Sequence, residues 1–176
     1  MKIVNNKNFL LTVDDLFTKK ECEHLLNTYN KNLTSPEKNS NYNYLYKDIE
    51  VNTFPFLEKL NKITCLYREK YPESDLVTMP WKLNYLRFKL FKKGKSFANF
   101  HSELSKNSFH RFLSIQIYLT NHKCGTEFFR THKTISSKIG RVCIFPAYFT
   151  HTHKGQPDIK KERAIITGYY TFYEKI

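Results

Sequence analysis

Cysteine, glycine, acidic residues and long apolar runs are all scarce in this sequence, and each shortage closes off a class of protein. The four cysteines, Cys22, Cys65, Cys124 and Cys143, are scattered without CxxC spacing, so neither a zinc knuckle nor a disulfide framework is indicated. Reduced core or near-surface thiols are expected. No uncharged apolar run approaches the length that spans a bilayer, and the opening MKIVNNKNFLLTVDD lacks the apolar stretch of a secretory signal. The expectation is a soluble, cytoplasmic protein with no membrane partner. Glycine and proline number only five and six, and no linker, repeat or low-complexity tract interrupts the chain. The 176 residues therefore read as one domain, 1-176, long enough to bury a core unaided.

The shortage of acid leaves 29 Lys plus Arg against 16 Asp plus Glu, a net charge of +13. Such a charge could draw nucleic acid, a membrane surface or an acidic substrate. Only six of the basic residues are Arg (68, 87, 111, 130, 141 and 163), whereas phosphate recognition leans on the guanidinium fork. Nucleic acid is not the favoured partner. The run Lys92-Lys93-Gly94-Lys95 reads as a solvated turn.

Aromatics are plentiful, with 15 Phe and 12 Tyr, and tilt the composition toward sheet. Thr18-Lys-Lys-Glu21 is a capping box, followed by Cys22, Leu25, Leu26 and Tyr29 at helical spacing. A second helix is expected from near Pro55, with Phe56, Leu60, Ile63 and Tyr67 on one face. The polar stretch Asn32 to Asp48 between them reads as a loop. From Trp81 the period changes to two, predicting strands at about 81–91, 111–119, 126–131, 140–147 and 163–173. Helices followed by strands predict a mainly β, α+β chain. In the second of these strands Leu113, Ile115, Ile117 and Leu119 alternate with Phe112, Ser114, Gln116 and Tyr118. One face packs, and the other could wall a polar cavity.

The chemistry rests on His101-Ser-Glu103, whose i and i+2 side chains project to one side of an extended segment. Some fifty residues later come His151-Thr-His153 and then Arg163. Two imidazoles and a carboxylate on one face of an octahedron bind Fe(II) and leave three positions open. A bidentate 2-oxo acid takes two and O₂ the third, which equips the metal to oxidise an unactivated C–H bond. Arg163 suits the far carboxylate of 2-oxoglutarate, since a planar fork pairs with it bidentately. Thr167 shares its strand face and adds a hydroxyl. His151 and His153 would lie on one face of a regular strand, so by alternation alone either could be the second imidazole.

The chain from Lys89 onward resembles the prolyl-4-hydroxylase-like branch of the 2-oxoglutarate/Fe(II) oxygenases. Phe91-Lys-Lys-Gly94 is similar to that family's Y-x-x-G turn, His101-Ser-Glu103 to its H-x-D motif and Ile117-Tyr118-Leu119-Thr-Asn121 to its Y-L-N strand end. Cys124-Gly-Thr-Glu-Phe128, Gly140-Arg-Val-Cys-Ile-Phe-Pro146, His153-Lys-Gly-Gln-Pro157 and Arg163-Ala-Ile-Ile-Thr-Gly-Tyr-Tyr170 follow in the family's order. The resemblance implies a double-stranded β-helix, a jelly-roll or cupin-like core over about 80–176, with helices of about 1–75 packed on the larger sheet. It assigns the metal to His101, Glu103 and His153, the distal imidazole being His153 on its spacing to Pro157 and Arg163. It assigns 2-oxoglutarate to Arg163 and Tyr118. The implied activity is hydroxylation of a prolyl or other residue in a protein or peptide, using Fe(II), 2-oxoglutarate and O₂, with room for ascorbate as a reductant. A nucleobase or small-metabolite substrate is the alternative enzyme, and a decayed jelly-roll binding module the alternative to an enzyme. The departure is Glu103, where the family has Asp. A carboxylate of either length argues against halogenation, in which that position is a small residue. Phe97, Phe100 and Trp81 are more simply core residues than cavity walls, and Asn32 to Asp48 and Lys106 to Arg111 are candidate lids.

Overall fold

The computed structural model describes residues 1–35 and 44–173. Ten strands fall into two antiparallel sheets. The larger runs β1(Lys2–Lys7), β2(Leu10–Asp14), β8(Val142–Pro146), β5(Arg111–Tyr118), β10(Arg163–Phe172), β4(Trp81–Phe91), β3(Leu45–Ile49), in that spatial order. The smaller runs β7(Lys133–Ser136), β6(Gly125–Phe128), β9(His153–Gly155). This is the double-stranded β-helix, mainly β with two helices.

The helices cover one face of the large sheet. α1(Lys19–Tyr29) starts at the expected capping box, with Glu21 N donating to Thr18 Oγ1 (3.3 Å) and Thr18 N to Glu21 Oε2 (2.7 Å). It buries Cys22, Leu25 and Tyr29. α2(Leu57–Lys70) buries Leu60, Ile63 and Tyr67, and Lys59 ties it to α1 through Glu21 (2.7 Å). Both helical stripes enter one cluster with Leu86, Phe88 and Leu90 of β4, Leu113, Ile115 and Ile117 of β5 and Ile166 of β10. The alternate residues of those strands face the other way, into the space between the sheets, where Tyr118, Phe128, Cys143, Phe145 and Ile165 form a second cluster. Strand alternation thus divides each central strand between a core and a site.

Four expectations need correction. Helices do not simply precede strands, because the chain opens with the hairpin β1–β2, whose second strand pairs with β8. Asn32 to Asp48 is not all loop: Thr34 bridges Tyr46 in both directions (2.8 and 2.9 Å), and β3 forms the sheet's edge; residues 36–43 of that stretch lie outside the described ones. β3 escapes a hydrophobic pattern because a cross-strand ion pair holds it, with Asp48 directly opposite Arg87. The strand expected at 126–131 ends at Phe128, with β7 as its hairpin partner. Phe112, assigned by alternation to the polar face, packs with Trp81 and Phe172 in the helix-side cluster, since the β5–β10 register shifts between Tyr170 and Thr171, opposite this point. Trp81 is core, its Nε1 donating to the Ser74 carbonyl (2.8 Å).

Candidate metal and cosubstrate site

His101 and His153 come together through their backbones before their side chains. His101 N donates to the His153 carbonyl and His153 N to the His101 carbonyl, both at 2.9 Å, forming an isolated antiparallel bridge next to β9. A closely paired rung puts the two side chains on one side, and the rings stand 4.6 Å apart. Glu103, two residues on, is held by its own N–H on the Ala147 carbonyl (3.0 Å). Its Oε1 lies 3.4 Å from His153 Nε2. The ligand atoms of all three residues fall within 4.8 Å of one another. Metal bonds of about 2.1 Å at right angles separate ligand atoms by about 3 Å, so the set can close on one ion.

The tautomers agree with this. His101 Nδ1 donates to the Asn99 carbonyl (2.9 Å) and His153 Nδ1 to the His151 carbonyl (3.0 Å), which turns each Nε2 into the site as the nitrogen that would meet a cation. Burial, and then the neighbouring His153, push His101 down to about 4. Burial opposes ionisation of Glu103, yet the His153 hydrogen bond, His153's charge and Lys89 outweigh it and hold the carboxyl well below the usual range. An ionised carboxylate and imidazoles that give up their Nε2 protons are the forms that bind a cation. His151 is turned elsewhere. It lies in a short 3₁₀ turn, Phe149–His151, donating from Nε2 to the Asn8 carbonyl (2.7 Å) with Nδ1 on Thr150 Oγ1 (3.0 Å).

Two residues that sequence reasoning passed over support Glu103. Tyr169 donates its phenol proton to Oε2 (2.9 Å). Arg111 donates to the Glu103 carbonyl (3.1 Å), approaches Oε2 (3.5 Å) and lies flat over the Tyr169 ring at 3.6 Å. Ser108 Oγ also donates to that carbonyl (3.1 Å), so the Lys106 to Arg111 turn is bound to the site rather than loose above it. Tyr169 was findable, being the next inward position on β10 after Arg163, Ile165 and Thr167. Arg111 was not, since its role depends on the turn.

Arg163 is only 2% exposed, and its Nε and Nη2, like Thr167 Oγ1, have no hydrogen-bond partner among the described residues. A guanidinium buried without acceptors is costly, and burial lowers its pKa. It lies over the Phe91 ring (4.6 Å), and room for it depends on Gly155, where an added Cβ would stand 3.1 Å from Nη2. Two orphaned donors on Arg163 and a hydroxyl two pleats along are what a dicarboxylate would satisfy, so the residues fit 2-oxoglutarate. Tyr118 is on the same interior face, opposite Ile165, with its phenol donating to Thr126 Oγ1 (2.8 Å).

A cavity of about 220 Å³ opens over His101 and Glu103, lined also by Tyr44, Tyr85, Arg87, Lys89, Phe97 and Thr167. Phe97 stacks on His101 at 4.0 Å, whereas Phe100 is at the surface, edge-on to Phe129 (5.1 Å). Burial lowers the Lys89 ammonium to about 8, against the opposing charge of Glu103. A larger apolar cavity of about 750 Å³, bordered by Phe9, Phe112, Phe128 and His151, contains none of the three candidate ligands. A second cluster, His122, Cys124 and Asp158, also lies within 4.8 Å. His122 there spends both ring nitrogens on protein, Nδ1 on Asp158 (2.6 Å) and Nε2 on Thr120 (2.9 Å), and Thr120 in turn accepts from Ala164 N (3.0 Å). It pins the entrance to β10.

No protein-family model matches the sequence, and no curated protein sequence does. Solved structures do resemble it. The viral collagen prolyl hydroxylase of Paramecium Bursaria Chlorella virus-1, solved with 2OG, superposes with a TM-score of 0.66 at 17% identity over 95% of this chain and 98% of that one. A Pseudomonas putida prolyl-4-hydroxylase gives 0.70 at 12% over 96% and 95%. A Trichoplax adhaerens prolyl hydroxylase in complex with a hypoxia inducible factor peptide fragment gives 0.65 at 13% over 94% and 84%. Over nearly its whole length, then, this chain has the fold of the prolyl 4-hydroxylases and 2OG-Fe(II) oxygenases.

Proposed function

We propose that the chain is an Fe(II)- and 2-oxoglutarate-dependent oxygenase that hydroxylates a C–H bond of a residue, prolyl first among the candidates, in a protein or peptide. The observation that carries this reading is the pairing of His101, Glu103 and His153 with a buried Arg163 whose Nε and Nη2 lack partners. The three would hold the metal, while Arg163 and Thr167, with Tyr118 beside them, would hold the far carboxylate of 2-oxoglutarate. Together, the metal and cosubstrate supply O₂-driven oxidation of an unactivated C–H bond with conversion of 2-oxoglutarate to succinate.

The protein's share is placement. Asn99 and His151 carbonyls fix the imidazole tautomers. Tyr169 and Arg111 draw Glu103 back by its Oε2, which accommodates the extra methylene relative to Asp. Phe97 and Phe128 pack on the imidazole rings and keep water from them. A peptide substrate is supported by the likeness to enzymes that act on peptides, and by exposed Phe100 and Phe129 beside the site. Incubation with Fe(II), 2-oxoglutarate and a peptide panel tests the reading. Succinate release coupled to a mass gain of one oxygen on peptide is expected, and oxygen gained only by oligonucleotides or small metabolites would overturn the peptide assignment.

A further inference from the structure

The cavity over His101 and Glu103 brings in three cationic side chains, Arg87, Lys89 and Arg111. Two of them are engaged. Arg87 forms a two-pronged pair with Asp48 (2.6 and 2.9 Å) and stacks on the Tyr46 ring at 4.0 Å. Arg111 serves Glu103 and Tyr169. Lys89 has no ion pair among the described residues, and its Nζ stands 4.9 Å from the centre of the Tyr44 ring.

Lys89 is half-buried. On β4 the residues Leu86, Phe88 and Leu90 enter the helix-side core, so Lys89 faces inward with Arg87 and Tyr85. It sits opposite Ile165 on β10 and Tyr46 on β3, one pleat from the rung that carries Arg163 and one from the rung that carries Thr167. An ammonium in such a place is costly unless an anion meets it. Glu103 attracts the ammonium from a distance but forms no ion pair with it among the described residues, its oxygens being turned to His153, Tyr169 and Arg111. The far carboxylate of 2-oxoglutarate has Arg163. A metal ion would repel the ammonium.

We propose that Lys89 is a specificity-determining residue, holding a carboxylate of the substrate beside the oxidised C–H bond, so that the substrate is acidic at or next to the residue hydroxylated. The inference rests on the oxygenase reading and names its substrate class. A space of about 220 Å³ suits a single residue. The carboxylate could come from an Asp or Glu side chain of a peptide or from the α-carboxylate of a free amino acid.

Calorimetric titration of the full chain loaded with Mn(II) and 2-oxoglutarate tests this without turnover. The probes are capped Asp and Glu peptides against their Asn and Gln counterparts, and free proline and leucine against their amides. In at least one pair the carboxylate should bind about tenfold to a hundredfold more tightly than its amide, and the pair that does so identifies the source. Lys89→Met should erase that preference and Lys89→Arg retain most of it, with 2-oxoglutarate binding unchanged in both. Equal binding within every wild-type pair overturns the proposal, as does no binding of any carboxylate probe. So does a Lys89→Met protein that loses 2-oxoglutarate instead, which would make Lys89 a cosubstrate ligand. Wild type that takes up neither Mn(II) nor 2-oxoglutarate overturns the oxygenase reading as well, and is told apart by that first step.

Discussion

Arg163 and Tyr169 lie on one face of one strand and make opposite kinds of statement. Arg163 is a buried cation whose Nε and Nη2 lack partners, so its worth should appear only when cosubstrate is present. Arg163→Ala is expected to weaken 2-oxoglutarate binding by about 2 to 3 kcal/mol, read by titration of the Mn(II)-loaded protein; unchanged affinity would remove Arg163 from the site. Tyr169 is fully partnered by Glu103, so Tyr169→Phe should lower metal affinity by about tenfold or more while the protein still folds, and metal affinity equal to wild type would contradict that role. The titrating groups give a further test. His101 is depressed to about 4 from its ordinary 6.5, so its contribution is whole above 6.5 and is lost as pH falls toward 4. Glu103, depressed below its ordinary 4.5, adds stability that is present above 4.5 and lost below it. The metal-free protein should therefore lose thermal stability from about pH 6.5 downward, and His101→Gln should remove the upper part of that slope. A melting temperature flat across this window would contradict the assignment.

At the scale of the element, β10 is the spine of the molecule, paired along its length with β4 and β5. Gly168 sits at its middle on the helix side, where an added Cβ would stand 2.6 Å from the Tyr85 carbonyl oxygen and 2.6 Å from Leu86 Cδ2. Gly168→Ala is thus expected to destabilise by about 1 to 3 kcal/mol, measured by denaturant unfolding; a neutral result would mean the strands can part without cost. The elements legible in the sequence were those with strong local signals. A capping box placed α1, apolar stripes placed both helices, and the change to β-rich, period-two sequence placed β4, β5, β8 and β10 within a residue or two. Two of the elements that were missed depend on distant partners. β3 is held by Asp48 against Arg87, and β9 is three residues paired to β6, neither of which leaves a local pattern.

For the whole molecule, two sheets clasp a candidate site whose residues come from separate stretches of chain, which is why strand alternation left His151 and His153 open and only the spacing to Pro157 and Arg163, read through the family resemblance, favoured His153. That preference is supported by the rung that pairs His101 with His153 and by the Asn8 carbonyl that occupies His151. Supporting residues such as Arg111 and Lys89 owe their meaning to that closure and had no motif to announce them. The most direct test of the account is succinate formation from 2-oxoglutarate in the presence of Fe(II), compared among wild type, His153→Ala and His151→Ala. Wild type and His151→Ala are expected to produce succinate and His153→Ala to produce none; succinate from His153→Ala at the wild-type rate, or none from wild type with metal and cosubstrate bound, would contradict it.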